Sequence, residues 1–490
     1  MNLPRFVALV LLVAVASSSL TVAAQPARQT QTHVAFLPLV VLPPGPPSIF
    51  GFDVRDYARN DVLQFAREAN PRWVRAGDVL WADVEREPGV YDWSALAGVE
   101  ANVARLRQLG FEPTIVVQHT PEWAQSVPGR RCSPPRPEYL DAFARFMGAL
   151  AARYAEGPLA IRYWEVWNEP DFTAGEVQDN QGFGCWANAS QPFYGGMYYG
   201  EALKRVYPAV KAANPHATVM GGALAYHWPD DTVSRDFLRG MLESGAGYSF
   251  DALSFHAYGE WGAGDLLIAK TIRIREILAA YGLADRPLFA TEIAATCFSV
   301  RSLGYEPQPQ GVAPQPSGFT CPPDFAIRQA NYAARIYAEA SALKLYGALW
   351  FSLVAAGPDV IFNAQLIDDN SGNLEPRPSF YAFRNSARLL QDAVYIGPPV
   401  REPPPDQLTQ VQVLPFRKRG NTLYVFWVPS TDFPLVYNLP VPPGAIAVCT
   451  DQLNRETPST YYCSDTNGDG MIPRAVNELP QYVEVLGIGR

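Results

Sequence analysis

Histidine is nearly missing from this chain, with five among 490 residues. That leaves little material for a multi-histidine metal centre. A positive balance is missing too: 39 Lys and Arg stand against 48 Asp and Glu, a formal charge of −9. Met1 to Ala24 carry one charge, Arg5, so their removal would make it −10. Such a chain has no electrostatic footprint for nucleic acid or anionic lipid, and its partner should be neutral or nearly so. No CxxC, GxSxG, P-loop or HExxH occurs, which excludes the commonest redox, zinc and triad signatures. No apolar run reaches the roughly 20 residues of a membrane span, so no membrane insertion is expected. Low charge is not low order, because 48% hydrophobic against 18% charged residues supplies a large core.

Proline is abundant, at 45 residues. Five short stretches, 38–47, 128–137, 307–323, 398–405 and 440–443, hold 23 of them. Proline lacks the N–H that helix and sheet interiors use, so these are linkers or loops. At the N-terminus Arg5, the apolar run Phe6 to Ala16, and Val22 and Ala24 before a cleavage point read as a signal peptide over 1–24. The expected location is therefore secreted or otherwise extracytoplasmic. Six cysteines suit that oxidising destination. Of fifteen possible connectivities, proximity favours Cys449–Cys463 and Cys297–Cys321, leaving Cys132–Cys185.

Short β-rich runs alternate with helical stretches. The strand candidates are 49–53, 72–77, 112–118, 161–168, 217–222, 251–257, 287–292 and 347–353. Between them DVLQFAREA, YLDAFARFMGALAARYA, EALKRVYPAVKAA and NYAARIYAEASALKLY repeat apolar residues at helical spacing, and SFYAFRNSARLLQ follows the eighth run. Eight such units predict an α/β fold, a (β/α)8 TIM barrel over 49–392 with enlarged loops. The rival, a doubly wound open sheet, lacks a GxGxxG after its first strand. A linker over 393–408 then precedes short alternating strands that predict a small antiparallel β-sandwich over 409–490. Residues 25–48 form a proline-rich leader, of which 33–41 can add a strand to the β-domain.

In a barrel, chemistry sits at the C-terminal ends of strands. Strand four ends in Trp167-Asn168-Glu169-Pro170 and strand seven in Thr291-Glu292. Two carboxylates over one barrel mouth are the pair that glycoside hydrolysis needs, one to protonate the departing oxygen and one to attack the anomeric carbon. Near them in the strand order lie Arg75 (strand two), His119 (strand three), His256 and Tyr258 (strand six) and Trp350 (strand eight). Trp81, Trp123, Trp186, Trp228 and Trp261 fall in strand ends or loops where sugar rings could stack.

With EVWNEPD (165–171), TE (291–292) and HAY (256–258) so placed, the sequence resembles clan A of the glycoside hydrolases. VLWADVEREPGVYDW (79–93) and QHTPEWA (118–124) look like family 39 and its relatives. The resemblance implies Glu169 as acid/base and Glu292 as retaining nucleophile, without a cofactor or metal. Asn168 would meet the sugar 2-hydroxyl, and Tyr258 and Arg75 would hold the nucleophile. His256 would touch that network or the sugar, and His119 is either a substrate contact or a satisfied structural histidine. Trp350 would form the floor beneath the cleaved sugar. Glu169 needs a raised pKa, which Trp164 or Trp167 and a second carboxylate could supply. After Glu292 the chain reads IAATC, where relatives often carry an aromatic residue or glycine.

The implied activity is a retaining O-glycosyl hydrolase acting on an oligo- or polysaccharide. The alternatives are a catalytically silent carbohydrate-binding protein on a degenerate barrel, or a barrel enzyme of other chemistry such as a lyase. Asp465 to Gly470 (DTNGDG) begins like a calcium loop, but Val476 stands where a bidentate glutamate is needed, so a turn is expected. Asn188-Ala-Ser190 is a glycosylation sequon.

Overall fold

The computed structural model describes residues 48–54, 59–177, 182–225, 232–260, 266–297, 321–354, 363–370, 372–401, 409–429 and 434–487. The expected signal peptide, the leader with its possible strand, Trp228 and Trp261 lie outside the described residues.

Eight parallel strands close into a barrel in chain order: β1 (Phe50–Asp53), β2 (Trp73–Leu80), β3 (Glu112–Gln118), β4 (Tyr163–Val166), β5 (Thr218–Leu224), β6 (Ala252–Glu260), β7 (Leu288–Thr296) and β8 (Gly347–Trp350). The outer layer is α1 (Asn60–Ala69), α2 (Trp81–Val84), α3 (Ala97–Gln108), α4 (Leu140–Arg153), α5 (Gly196–Ala213), α6 (Thr232–Glu243), α7 (Leu266–Ala280), α8 (Phe325–Ala342) and α9 (Pro378–Leu390). A hairpin, β9 (Ile367–Asn370) and β10 (Asn373–Pro376), stands between β8 and α9.

Period-two alternation builds the barrel interior in layers. Trp73, Tyr163, Met220, Ala252, Phe289 and Leu349 form one apolar plug at the bottom. Two residues further along the same strands stand Arg75, Glu165, Gly222, Ser254, Thr291 and Phe351. The plug is oily and the layer above it is largely polar, and that change carries the site.

Three strands depart from a regular ladder. Pairing slips between Arg75 and Asp78 on β2, at Ala223 on β5 and at Thr291 on β7. An extra residue re-aims the side chains beside it. On β7 both Thr291 and Glu292 consequently face inward, where a regular strand would have separated them. β6 and β7 also run past the expected ends at 257 and 292, paired from His256–Glu292 to Glu260–Thr296.

The C-terminal region has a six-stranded sheet in the order β11-β12-β13-β18-β15-β16 and a two-stranded sheet β14-β17. Their ranges are β11 (Val394–Tyr395), β12 (Gln412–Lys418), β13 (Asn421–Trp427), β14 (Leu435–Pro440), β15 (Ala447–Asp451), β16 (Ser459–Tyr462), β17 (Met471–Val476) and β18 (Gln481–Val485). Leu439, Ile472 and Val476 of the smaller sheet pack on Phe426, Ala447, Cys449, Val483 and Val485 of the larger. This is the expected antiparallel sandwich. The other face of the larger sheet, with Leu414, Phe416, Leu423, Val425 and Tyr482, joins the core around the barrel. The segment expected to be linker opens with β11, because Val394 and Tyr395 pair with Arg417 and Phe416.

All three disulfides form as proximity suggested: Cys132–Cys185, Cys297–Cys321 and Cys449–Cys463. No described helix is long and apolar enough to cross a membrane. In the calcium-like segment the Asp465 carboxylate is spent on the backbone N–H groups of Gly444, Gly468 and Gly470. Those donors hold its pKa below the usual carboxylate value. The segment is a turn.

Candidate active site

Six of the eight singled-out residues converge. Arg75, standing in the polar layer of β2, is the hub. Its Nε and Nη2 donate to Glu165 Oε2 at 3.0 and 2.7 Å, Nη2 also reaches Asn168 Oδ1 at 2.7 Å, and Nη1 donates to Glu292 Oε1. Tyr258 donates its hydroxyl to Glu292 Oε2. Thus both oxygens of Glu292 are held, by a cation on one side and a phenol on the other. His256 Nδ1 lies 2.7 Å from Glu169 Oε1 and 3.5 Å from Glu292 Oε2, between the two carboxylates. One ring nitrogen and one oxygen from each glutamate all fall within 4.8 Å of one another.

The loop carrying Glu169 is wound tightly. Trp167 and Glu169 both have positive φ, 73° and 45°, a region costly for residues with a side chain. Several contacts hold them there. Trp167 N–H donates to Val117 O at 2.9 Å and Glu169 N–H to Ala223 O at 3.1 Å. Asn168 Nδ2 donates to Gly182 O at 2.9 Å. Gly184 presses so close that a Cβ there would sit 2.6 Å from Asn168 O and from the Trp167 ring. The Cys132–Cys185 bond anchors that neighbouring loop to the segment after β3.

The two carboxylates are differentiated by their surroundings. Glu169 is pushed well above the usual carboxylate pKa, first by burial, then by the charges of Glu292 and Asp171, with Arg75 and Lys270 opposing. Burial also drives His256 well below its usual value, helped by Arg75 and Lys270, so its imidazole is neutral. Tyr258 is raised by burial and then by Glu292 and Glu169, and stays a donor. For Arg75, burial alone would weaken the charged form; Glu165, Glu292, Asp78 and Asp53 more than offset it. The site therefore sets a Glu169 whose proton is held more firmly than usual beside a Glu292 clamped by Arg75. Three convergent donor atoms would suit a cation by spacing alone, and the Arg75 guanidinium already lies against Glu292.

One expected residue stands elsewhere. Trp350 does not floor the site: it is fully buried, donates Nε1–H to Ala364 O at 2.7 Å and packs against Tyr332 of α8. The reason is parity. Leu349 belongs to the interior plug, so Trp350 must face the helices and Phe351 the mouth. Phe351 meets the Tyr258 ring edge-on at 6.1 Å. His119 follows β3 immediately, buried and with a φ of 66°. Trp81 and Trp186 are buried in aromatic clusters, and only Trp123 among the described loop tryptophans keeps partial exposure. Trp164 packs outward on Tyr154, so it is not what raises Glu169.

Sequence reading missed Glu165, Asp171 and Lys270. Glu165 is fully buried, binds Arg75 and accepts from Thr291 Oγ1 at 2.8 Å. Its signal was a carboxylate in mid-strand between Trp164 and Val166, two positions after the inward Tyr163. Asp171, also fully buried, accepts the Ala225 N–H at 2.9 Å.

The barrel with a C-terminal β-domain is a fold shared with solved glycoside hydrolases. A family 39 glycoside hydrolase from Bacteroides cellulosilyticus WH2 superposes with a TM-score of 0.63 at 20% identity, covering 90% of this chain and 81% of that one. A family 30 endoxylanase from Clostridium papyrosolvens C71 gives 0.58 at 11%, covering 91% and 97%. A monomeric β-xylosidase from Caulobacter crescentus CB15 gives 0.53 at 16%, covering 91% and 98%. No family model and no curated protein matches the sequence.

Proposed function

We propose that this protein is an exported retaining glycoside hydrolase acting on an oligo- or polysaccharide. The observation that carries the reading is the pairing of Glu169, its pKa raised by burial and by Glu292, with a clamped Glu292, their nearest oxygens within 4.8 Å. Retaining pairs stand ~5–5.5 Å apart, whereas inverting pairs leave ~6.5–9.5 Å for a water. The solved neighbours, which include a β-xylosidase and an endoxylanase, support a carbohydrate substrate.

A Glu292 oxygen attacks the anomeric carbon as the bond to the leaving oxygen breaks, and Glu169 delivers its proton to that oxygen. Glu169, now ionised, takes a proton from water, whose oxygen attacks the same carbon and releases Glu292. Arg75 and Tyr258 hold Glu292 in its attacking orientation. The second N–H of Asn168 is available to the sugar 2-hydroxyl, since its Oδ1 is engaged by Arg75 and its first N–H by Gly182. His256 orients Glu169, and Phe351 rather than Trp350 offers an aromatic surface at the mouth.

The test is a panel of plant, fungal and bacterial polysaccharides with product analysis by NMR. Wild type should release product of retained anomeric configuration, and Glu292→Ala and Glu169→Ala should each lose at least about 10³-fold in kcat/KM. Inverted product defeats the retaining mechanism. Binding without turnover across the panel favours a silent carbohydrate binder.

A further inference from the structure

α7 carries a lysine where its pattern calls for an apolar residue. Leu266, Leu267, Ile268, Thr271 and Ile274 form its buried face, and Lys270 lies among them only 6% exposed. A buried ammonium demands partners. Lys270 Nζ finds Leu224 O and His256 O, each at 2.9 Å, at the end of β5 and in the middle of β6. Both carbonyls adjoin a ladder slip, at Ala223 and at Thr291, where regular pairing is interrupted.

Those two strands are what hold Glu169. Ala223 O accepts the Glu169 N–H at 3.1 Å, Ala225 N–H binds Asp171 at 2.9 Å, and the His256 ring lies 2.7 Å from Glu169 Oε1. The ammonium thus pins, from behind the barrel wall, both the backbone under Glu169 and the residue that orients its carboxyl. We propose that Lys270 is a positioning residue for Glu169, clamping the end of β5 to the middle of β6 and placing one positive charge behind the proton donor.

Around Glu169 stand Glu292 on β7, Asp171 on its own loop, Arg75 on β2, and His256 and Tyr258 on β6. Burial, Glu292 and Asp171 favour the protonated acid; Arg75 and Lys270 favour the carboxylate. Arg75 is committed to Glu165, Asn168 and Glu292. Lys270 is therefore the cation that opposes over-tight protonation without also holding the nucleophile. An acid must return as a base in the second half of the reaction, so its proton cannot be held too firmly.

The inference rests on Glu169 being the proton donor, and its test does not depend on turnover. Full-length protein labelled with 13C at the glutamate side-chain carboxyl is titrated by NMR, with the Glu169 signal identified by its loss in Glu169→Gln. In Lys270→Met the midpoint should rise by at least about 0.5 pH unit, and in Lys270→Arg it should stay near that of wild type. Lys270→Gln keeps N–H donors while removing the charge, and carries the same test should the methionine variant not fold. On a substrate found in the panel, the basic limb of kcat/KM should move upward with it. A folded Lys270→Met or Lys270→Gln whose Glu169 midpoint is unmoved overturns the proposal and leaves Lys270 a structural clamp. Failure of wild type to cleave any glycan would count against the glycosidase reading alone.

Discussion

Glu165 lies within β4, fully buried, and not at the strand end where sequence position points to chemistry. Its carboxylate has no route to substrate past Arg75, yet it takes two N–H groups of that guanidinium and the Thr291 hydroxyl. Glu165→Gln should therefore leave Arg75 loosely aimed at Glu292, lowering kcat about 10²-fold with little change in KM, as steady-state kinetics would show. Glu169 makes an opposite prediction for stability. Its pKa is raised in the fold, so the native state holds a proton that the unfolded chain releases above its ordinary value near ~4.3. Stability from this group is thus full below that pH and lost as pH climbs toward the raised folded pKa. Glu169→Gln removes the penalty. Its Tm should match wild type near pH 4 and exceed it by about 2 °C at pH 8, measured by calorimetry. The two glutamates were legible in the sequence because WNEP and TE stood at counted strand ends. What burial did to each carboxylate was not, because that depends on neighbours from β2, β6 and α7.

At the level of the element, β8 shows how a correct strand can still mislead. Its location was plain from GALWFSL, but which side chains faced the mouth hung on one step of register. Trp350 stands against α8 and Phe351 against Tyr258. Trp350→Ala should cost about 3–5 kcal/mol of stability in denaturant unfolding, with KM unchanged in the folded fraction. Phe351→Ala should do the reverse, raising KM about tenfold at a smaller stability cost. The ladder slips are a second lesson. Nothing in the ATEIAAT run (290–296) marks Thr291 as the extra residue, because a slip is a property of two strands together.

Across the whole molecule the β-domain is part of the barrel's outer wall. The face of its larger sheet carrying Phe416, Leu423 and Val425 shares a core with Phe380 and Phe383 of α9. Asn385 donates to Leu453 O at 2.8 Å and Arg455 O at 2.9 Å, and Lys418 Nζ donates to Leu389 O at 2.7 Å. A chain cut after residue 392 would expose that apolar face and orphan Asn385. It should aggregate or unfold where the full chain stays soluble, which size-exclusion chromatography and circular dichroism would report. A well-folded, active 25–392 fragment would show the β-domain to be dispensable.

The sequence by itself determined the eight βα units and the place of the two glutamates, since these follow from periodicity and position along a strand, while the cysteine pairs were favoured by proximity and decided by the fold. Tertiary structure alone decided which residue faces inward at each slip, and that Glu165 would anchor Arg75. It also set Lys270 of α7 behind Glu169, and it raised the Glu169 pKa by burial and by the charge of Glu292. Those outcomes are set by contacts between strands far apart in the chain and by water's exclusion from the space they enclose. The scarcity of histidine acquires a physical sense there: the one at the centre, His256, has its pKa lowered by burial and lies between two carboxylates.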